Sequence, residues 1–379
     1  MRILSVNMTL GATYGGGTGE RTLQLTRFLK RAGAECALLT LDIGIDSLRP
    51  DTLSGIPVTA LRCMLPRYYL FPLPEPRVRE LVQWAEVIHL MNHWTLLNAY
   101  VYRVARKARR PYVVCPAGAL QVYGRSPLAK KFYTGIIGKR IIRDAAACVA
   151  IAKNEIDVFR EYGVPKERIA LIPNGVDPGD FLTPDPAAFR TKYGLGDAPF
   201  VLFLGRLNHI KGPDLLLRAF SEICGILQNH HVVFAGPNEG MLGALTNMAR
   251  AANIVSRIHF IGSISGIDKA SACSAAQLLV IPSRQEAMSI VVLEAGICGT
   301  PVLITEECGF NEVEEAGGGK VVSATPDSLK SGLLEMLKSP TLLRDMGLKL
   351  KDYVIQHYLW EAMARRYLDL FDRLPMARR

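Results

Sequence analysis

Two glutamates eight positions apart, Glu286 and Glu294, lie in the stretch Pro282-Ser-Arg-Gln-Glu286-Ala-Met-Ser-Ile-Val-Val-Leu-Glu294-Ala-Gly-Ile-Cys-Gly-Thr-Pro301. The apolar run 278–281 before it is short enough for a buried strand, which Pro282 and Ser283 break. Ser289 is placed to cap a following helix that Gly299 and Pro301 end. Glu286 then sits in the loop at the positive end of that helix, and Glu294 about one turn inside it. A loop glutamate can hold sugar hydroxyls, and a helical one can accept from ribose hydroxyls. The backbone amides of Ser289, Ile290 and Val291 can receive a phosphate, with Ala287 and Met288 shaping the loop before them. The spacing fits three contacts to one sugar nucleotide; two solvated helix-surface acids are the plain alternative.

Further candidates follow strand-like runs, where open α/β sheets bind ligands. Arg206 and Lys211 flank a loop after the run 200–204, and a guanidinium with an ammonium suits the charge of a departing diphosphate. The glycines 15–17 and Gly19 lie between the first strand and a helix expected over 20–32, and they let backbone approach a ligand closely. They fit neither the usual dinucleotide fingerprint nor a Gly-Lys-Ser/Thr phosphate loop. Asn174 and Gly175 read as a turn at a hinge between domains, or as a plain Asn-Gly turn. His93, close to His89 and beside Trp94, can act as a base at the end of the run 87–91, or serve as a structural histidine. No acidic pairs at strand ends call for a divalent cation.

Those elements need a scaffold, and the chain supplies two series of it. Short β-rich runs at 3–7, 36–41, 87–91, 112–115, 147–151 and 169–172 alternate with helical patterns, as do runs at 200–204, 231–235, 258–261, 278–281 and 302–304. Such alternation predicts parallel βαβ units. The expected architecture is α/β: two doubly wound Rossmann-like domains, residues 1–178 and 179–357, facing each other across a cleft. Residues 358–379 form an amphipathic tail helix that either completes the second domain or crosses back to the first.

The 379 residues, 49% hydrophobic and 21% charged, provide for two ordinary cores. Eight cysteines without a Cys-x-x-Cys pair or zinc-like histidine spacing read as reduced thiols of a cytosolic protein. No apolar run approaches the ~18 residues of a bilayer span, and the start reads as a first strand instead of a signal peptide. Any membrane contact is therefore expected to be peripheral, on the cytoplasmic face. Up to residue 180 the chain holds 25 Lys+Arg against 15 Asp+Glu, and beyond it 20 against 20, so the whole +10 excess belongs to the first half.

Five elements, in order, resemble the family 4 glycosyltransferases of the two-domain GT-B fold. They are Gly16-Gly-Thr-Gly19, Pro173-Asn-Gly-Val-Asp177, Gly205-Arg206 with Lys211-Gly212, Phe234-Ala-Gly-Pro237, and Glu286 with Glu294. The resemblance implies retaining transfer from a UDP- or GDP-linked sugar, with no metal and no cofactor beyond that substrate. It puts Arg206 and Lys211 on the diphosphate, Glu286 on the transferred sugar, Glu294 on the ribose, and Gly16 or Gly17 near the phosphate from the other domain. This chain departs from the family where Ala287, Met288 and Ser289 replace the usual Gly-Phe-Gly, and where His89-Leu-Met91 replaces His-x-His. His93 is then a displaced candidate for the catalytic histidine.

Residues 87–143 hold eleven basic side chains and no acidic one. Arg125, Lys130, Lys131, Lys139, Arg140 and Arg143 interleave there with Phe132, Tyr133, Ile136 and Ile137, which suits an anionic membrane surface and a glycan or lipid-linked acceptor. Nucleic acid would also attract the cations, but no recognition motif accompanies them. A non-catalytic sugar-nucleotide sensor and a GT-B epimerase remain rival readings on the same fold.

Overall fold

The computed structural model describes residues 1–10, 15–45, 53, 55–120 and 127–375. The chain divides into two compact units, Met1–Asn174 with Trp360–Arg379, and Gly175–Leu359. In the first, seven parallel strands take the order β3-β2-β1-β4-β5-β6-β7. They are β1 (Arg2–Val6), β2 (Glu35–Leu41), β3 (Val58–Leu61), β4 (Val87–Met91), β5 (Tyr112–Cys115), β6 (Ala147–Ala150) and β7 (Ile169–Leu171). In the second, six take the order β10-β9-β8-β11-β12-β13. These are β8 (Phe200–Leu204), β9 (His231–Ala235), β10 (Ile258–Gly262), β11 (Leu278–Ile281), β12 (Val302–Thr305) and β13 (Gly319–Val322).

The central strands are continuous apolar runs because helices cover both faces of a parallel sheet. Ile3, Leu4, Val87, Ile88, Val113 and Val114 are wholly buried in one unit, and Val201, Leu202, Leu278 and Leu279 in the other. In each sheet the order reverses beside the first strand of the unit, between β1 and β4 and between β8 and β11. That reversal opens a crevice at the strands' carboxyl ends. The helices that concern the first unit's surface are α1 (Gly16–Arg31), α2 (Pro76–Trp84), α3 (Leu96–Lys107), α4 (Pro127–Tyr133) and α5 (Lys139–Arg143), with a π-helical turn Thr134–Gly138 joining the last two. No helix among the described residues is long and apolar enough to cross a membrane.

The tail helix, Trp360–Asp372, belongs to the first unit, so the boundary lies in two passes of the chain, at 174/175 and 359/360. Its helical spacing buries Trp360, Met363, Tyr367 and Phe371. Two guanidinium groups fasten it, Arg366 of the helix itself, which donates to Leu171 O, and a buried one from α1. Arg21 of α1, 1% exposed, donates to the carbonyls of Ile172 and Pro173, to Asn174 Oδ1 at 2.6 Å and to the Tyr367 hydroxyl at 3.0 Å. Its Cζ also lies 5.6 Å from the Trp360 ring.

His89 and His93 are core residues, not members of a solvent-open cleft. The His89 ring sits edge-on to Tyr367, 5.2 Å between centroids. His93 is enclosed by Trp94, Tyr133 and Tyr162. Neither ring has a hydrogen-bond partner among the described residues. Burial, joined at His89 by the charge of Arg21, holds both neutral with pKa values pushed down to about 3 from the ordinary 6.5.

Two outcomes follow. Arg21→Met leaves buried carbonyls unpaired and lowers stability by on the order of 3 kcal/mol, whereas Tyr367→Phe, which removes one partner, costs about 1 kcal/mol. Urea unfolding midpoints check the ranking, and an Arg21→Met midpoint equal to wild type contradicts it. The histidines bind protons in the unfolded chain but not in the fold between pH 6.5 and 3. Stability is therefore full above pH 6.5 and falls toward pH 3, by up to ~1.4 kcal/mol per pH unit per ring. In His89→Leu and His93→Leu, the slope of urea stability against pH over that window should each time be shallower.

Candidate functional site

The crevice of the second unit is built by the loops leaving β8 and β11. Lys211, from the first loop, donates to Glu286 Oε1 of the second at 2.6 Å, across 75 residues of sequence. Both side chains are largely covered, at 21% and 15% exposure, so the attraction is weakly screened. Gly212 lets the loops meet. Its φ is 66°, and a Cβ there would stand 2.1 Å from the Pro282 carbonyl oxygen. The loops are also bolted together by Arg284, whose amide donates to Ile210 O and whose guanidinium donates to His209 O and, bidentate, to Asp214 at 2.9 and 2.6 Å. Burial would raise the Asp214 pKa, but Arg284 outweighs it and holds the carboxyl below its ordinary value. Neither Arg284 nor Asp214 stood out in the sequence.

Glu286 is fixed from behind. Its amide donates to Glu307 O, the Ser289 amide donates to Cys308 O, and the Ser283 hydroxyl donates to Glu286 Oε2 at 3.1 Å. Gly309, φ 65°, allows this approach, since a Cβ would fall 1.8 Å from the Ala287 oxygen. Ser289 occupies the N-cap of the helix Ile290–Ile297 without a capping bond from its side chain. Met288 and Ser289 are buried, at 6% and 1% exposure. Ile290 and Val291 open the helix, where amides lack intrahelical acceptors and the dipole is positive. Glu294 is 7% exposed, and its Oε1 accepts from Lys269 of the helix Ile267–Ala275. Each of the two carboxylates has a lysine partner of its own.

Arg206 does not share the Lys211–Glu286 pair. Its Nη1 donates to Glu239 at 3.1 and 3.2 Å, with about half of the side chain exposed. Asn208 links the two arrangements, donating to Glu239 Oε2 at 2.7 Å and accepting from the Lys211 amide at 3.0 Å. Glu239 is a member of the site that spacing alone gave no reason to choose.

In the first unit the helix α1 begins at Gly16, four residues before its expected start, so Gly16 and Gly17 form its opening turn instead of a loop. A Cβ on either would meet nothing within 4 Å, so space lies open beside them. At the same switch point Asn7 donates to Thr18 O and Thr22 Oγ1, and Asn92 donates to Asn7 Oδ1 at 2.8 Å. Asn174 is 5% exposed, its Oδ1 taken by Arg21, which makes it a structural partner and not a side chain offered to a ligand. His93, 1% exposed, is likewise closed off from any substrate in this conformation. Among the basic candidates, Lys131, Lys139, Arg140 and Arg143 are exposed. Arg143 donates through Nε to Tyr162 O, and the Lys130 ammonium lies 5.9 Å from the Trp94 ring. Arg125 lies outside the described residues. Among the described residues no group of three or more His, Cys, Asp or Glu is arranged to hold a metal ion.

The arrangement offers an ammonium with three N–H groups, one of them on Glu286, a carboxylate fixed on three sides, and helix-terminal amides close by in sequence. Cationic and amide donors suit a phosphate-bearing ligand, and the carboxylate suits a hydroxylated one.

Comparison with known proteins agrees with that geometry. Residues 187–352 match the model for glycosyl transferases group 1, and residues 16–175 the glycosyl transferase 4-like domain. D-inositol 3-phosphate glycosyltransferase 2 of Catenulispora acidiphila is 29% identical over 251 residues, 63% of this chain and 58% of that protein. The GDP-mannose-dependent alpha-(1-6)-phosphatidylinositol monomannoside mannosyltransferase of Mycolicibacterium smegmatis is 28% identical over 252 residues, 63% of this chain and 65% of its own. The matches thus span a little over half of these relatives' lengths. Among solved structures, Anabaena HepE in complex with UDP-glucose superposes with a TM-score of 0.82 at 19% identity, covering 99% of this chain and 100% of that one. With both units matched by glycosyl transferase models and both sheets by the HepE fold, the chain belongs to the family 4 glycosyltransferases, built on the GT-B fold.

Proposed function

We propose that the protein is a retaining glycosyltransferase that moves a sugar from a nucleotide-sugar donor to a hydroxyl of a glycan or lipid-linked acceptor, without a metal, in the synthesis of cell-surface polysaccharide. The observation that carries the reading is the Lys211–Glu286 pair at the β8/β11 switch point, at the foot of a helix whose first amides face no intrahelical acceptor. Lys211, with Arg206, binds the diphosphate; Glu286 accepts from hydroxyls of the transferred sugar; Glu294 accepts from the ribose. The amides of Ile290 and Val291 receive phosphate oxygens, and the opening turn of α1 at Gly16 and Gly17 offers unhindered backbone to the same kind of group.

In the transfer, the acceptor oxygen forms a bond to the anomeric carbon as the bond to the diphosphate breaks. The electron pair leaves with the diphosphate, and the acceptor proton passes to a phosphate oxygen on the same face. Nothing in this step needs His93. Its requirements are positioning and stabilisation of charge developing on the leaving group, which fixed cations and amides supply. Both GDP-mannose, named for the mycobacterial relative, and UDP-glucose, bound by HepE, fit a site that reads phosphate and sugar through these groups, so the donor is a UDP- or GDP-linked hexose. Relatives named for inositol-containing acceptors favour a polyol hydroxyl near a lipid. Exposed Lys131, Lys139 and Arg140, beside exposed Phe132 and Ile136, support a reading in which the first unit docks on the anionic cytoplasmic face of a membrane.

With a cognate donor and acceptor, Lys211→Ala and Glu286→Gln should each lower kcat by ~10²–10³-fold while circular dichroism stays that of wild type. Wild-type turnover in both variants ends the proposal, and a product of inverted anomeric configuration ends the retaining part of it. Transfer that persists in EDTA supports metal independence.

A further inference from the structure

A cavity of about 760 Å³ opens along the outer face of α3, with α2 and the 136–140 region contributing to its wall. Five cations line it, Arg79 of α2, Arg103, Arg106 and Lys107 of α3, and Arg140 of α5, and no carboxylate does. Asp144 accepts from Arg106 and from the Tyr102 hydroxyl just outside, but the other four cations form no ion pair with described residues. None of the lining residues belongs to the loops that leave β1 and β4, so the cavity is separate from the crevice at that unit's switch point.

The cavity is continuous with an apolar ridge. Ile136 lines it and is also the last of three large side chains left in water on successive turns, Leu128, Phe132 and Ile136, at 80%, 71% and 51% exposure. Lys131 and Lys139 flank the ridge and are exposed. A hollow that gathers guanidinium forks matches the oxygens of a phosphate. A soluble phosphate ester would have no use for the ridge beside it, whereas a phospholipid presents its phosphate and its acyl boundary together.

We propose that this cavity is a headgroup site for an anionic membrane phospholipid, seated while Leu128, Phe132 and Ile136 enter the acyl boundary; the inference rests on the membrane-docking reading above and makes it lipid-selective. Guanidinium pairs prefer phosphate to a carboxylate of equal charge, so the full chain should bind phosphatidylcholine vesicles containing phosphatidic acid about 10-fold more tightly than vesicles containing oleate at matched surface potential. Arg103→Gln combined with Arg140→Gln should abolish that preference. Phe132→Ser combined with Ile136→Ser should weaken binding to both vesicle types alike. Arg218→Gln with Arg250→Gln, an equal charge change in the second unit, should alter neither. Equal affinity for the two vesicle types, or a preference that survives in the cavity variant, overturns the headgroup site and leaves membrane docking standing. No binding to either vesicle overturns both. Displacement of phosphatidic acid vesicles by millimolar glycerol 3-phosphate alone assigns the cavity to a soluble phosphate ester and also overturns the lipid site.

Discussion

Every strand of both sheets runs parallel to its neighbours, and this constraint governs the rest. Parallel strands release their loops at one edge, and where the order turns about the first strand of a unit, two loops distant in sequence must leave side by side. Lys211 and Glu286 meet for that reason and not because either segment seeks the other. The pairing then has to be held at a distance of one hydrogen bond, and the means are backbone ones: Gly212 against the Pro282 carbonyl, Gly309 against Ala287, and Arg284 clamped on Asp214 and His209. A side chain at either glycine would separate the loops, so the chemistry of the pair depends on residues that contribute no functional group.

The first unit solves a related problem with a buried cation. Arg21 forms no ion pair with a carboxylate among the described residues; carbonyls, one amide oxygen, one phenol and two aromatic faces share its charge. Such a group is costly to bury and costlier to leave unmatched, so its partners, the end of β7, Asn174 and the tail helix, are tied to one arrangement. The two passes of the chain near Val176 and Leu359 are paired as well, with the Val176 amide donating to Tyr358 O. The tail helix is in this way a part of the first unit's core, although it follows the whole second unit in sequence.

Much of this was legible before the structure. The runs that became central strands are continuous and apolar because both faces are covered, and 87–91, 112–115, 200–204, 231–235 and 278–281 kept their bounds as β4, β5, β8, β9 and β11. The strands that escaped notice, β3 and β13, stand at sheet edges, where one side has no neighbouring strand. Val58–Leu61 is half-buried over most of its length, and Gly319–Val322 starts at a glycine and carries Lys320, so neither shows the apolar run that signals a covered strand. Lys211 and Glu286 were visible because each closely follows a strand. Their union was not, since charge pairing across 75 residues leaves no local trace. The sequence leaves His93 open between a base and a structural histidine, and only the fold shows Tyr133 and Tyr162 closing over it; it gives no sign of Arg21, whose partner Tyr367 arrives from 346 residues away.

The charge asymmetry gains a meaning from these pairings. In the second unit the cations near the crevice are answered one by one: Lys211 by Glu286, Arg284 by Asp214, Lys269 by Glu294, Arg206 by Glu239. Such matching requires at least as many carboxylates as cations, and the second unit, residues 175–359, holds 15 Lys+Arg against 19 Asp+Glu. The segment 87–143 of the first unit has no carboxylate to answer with, and most of its cations lie on α3, α4 and α5. Where matched charges fix geometry, unmatched ones set a long-range field, and that field favours an anionic partner before any contact forms. Phe132 and Leu128, both exposed, lie on the same helix as Lys131, so this field is paired with apolar surface whose burial, unlike attraction between charges, salt does not weaken.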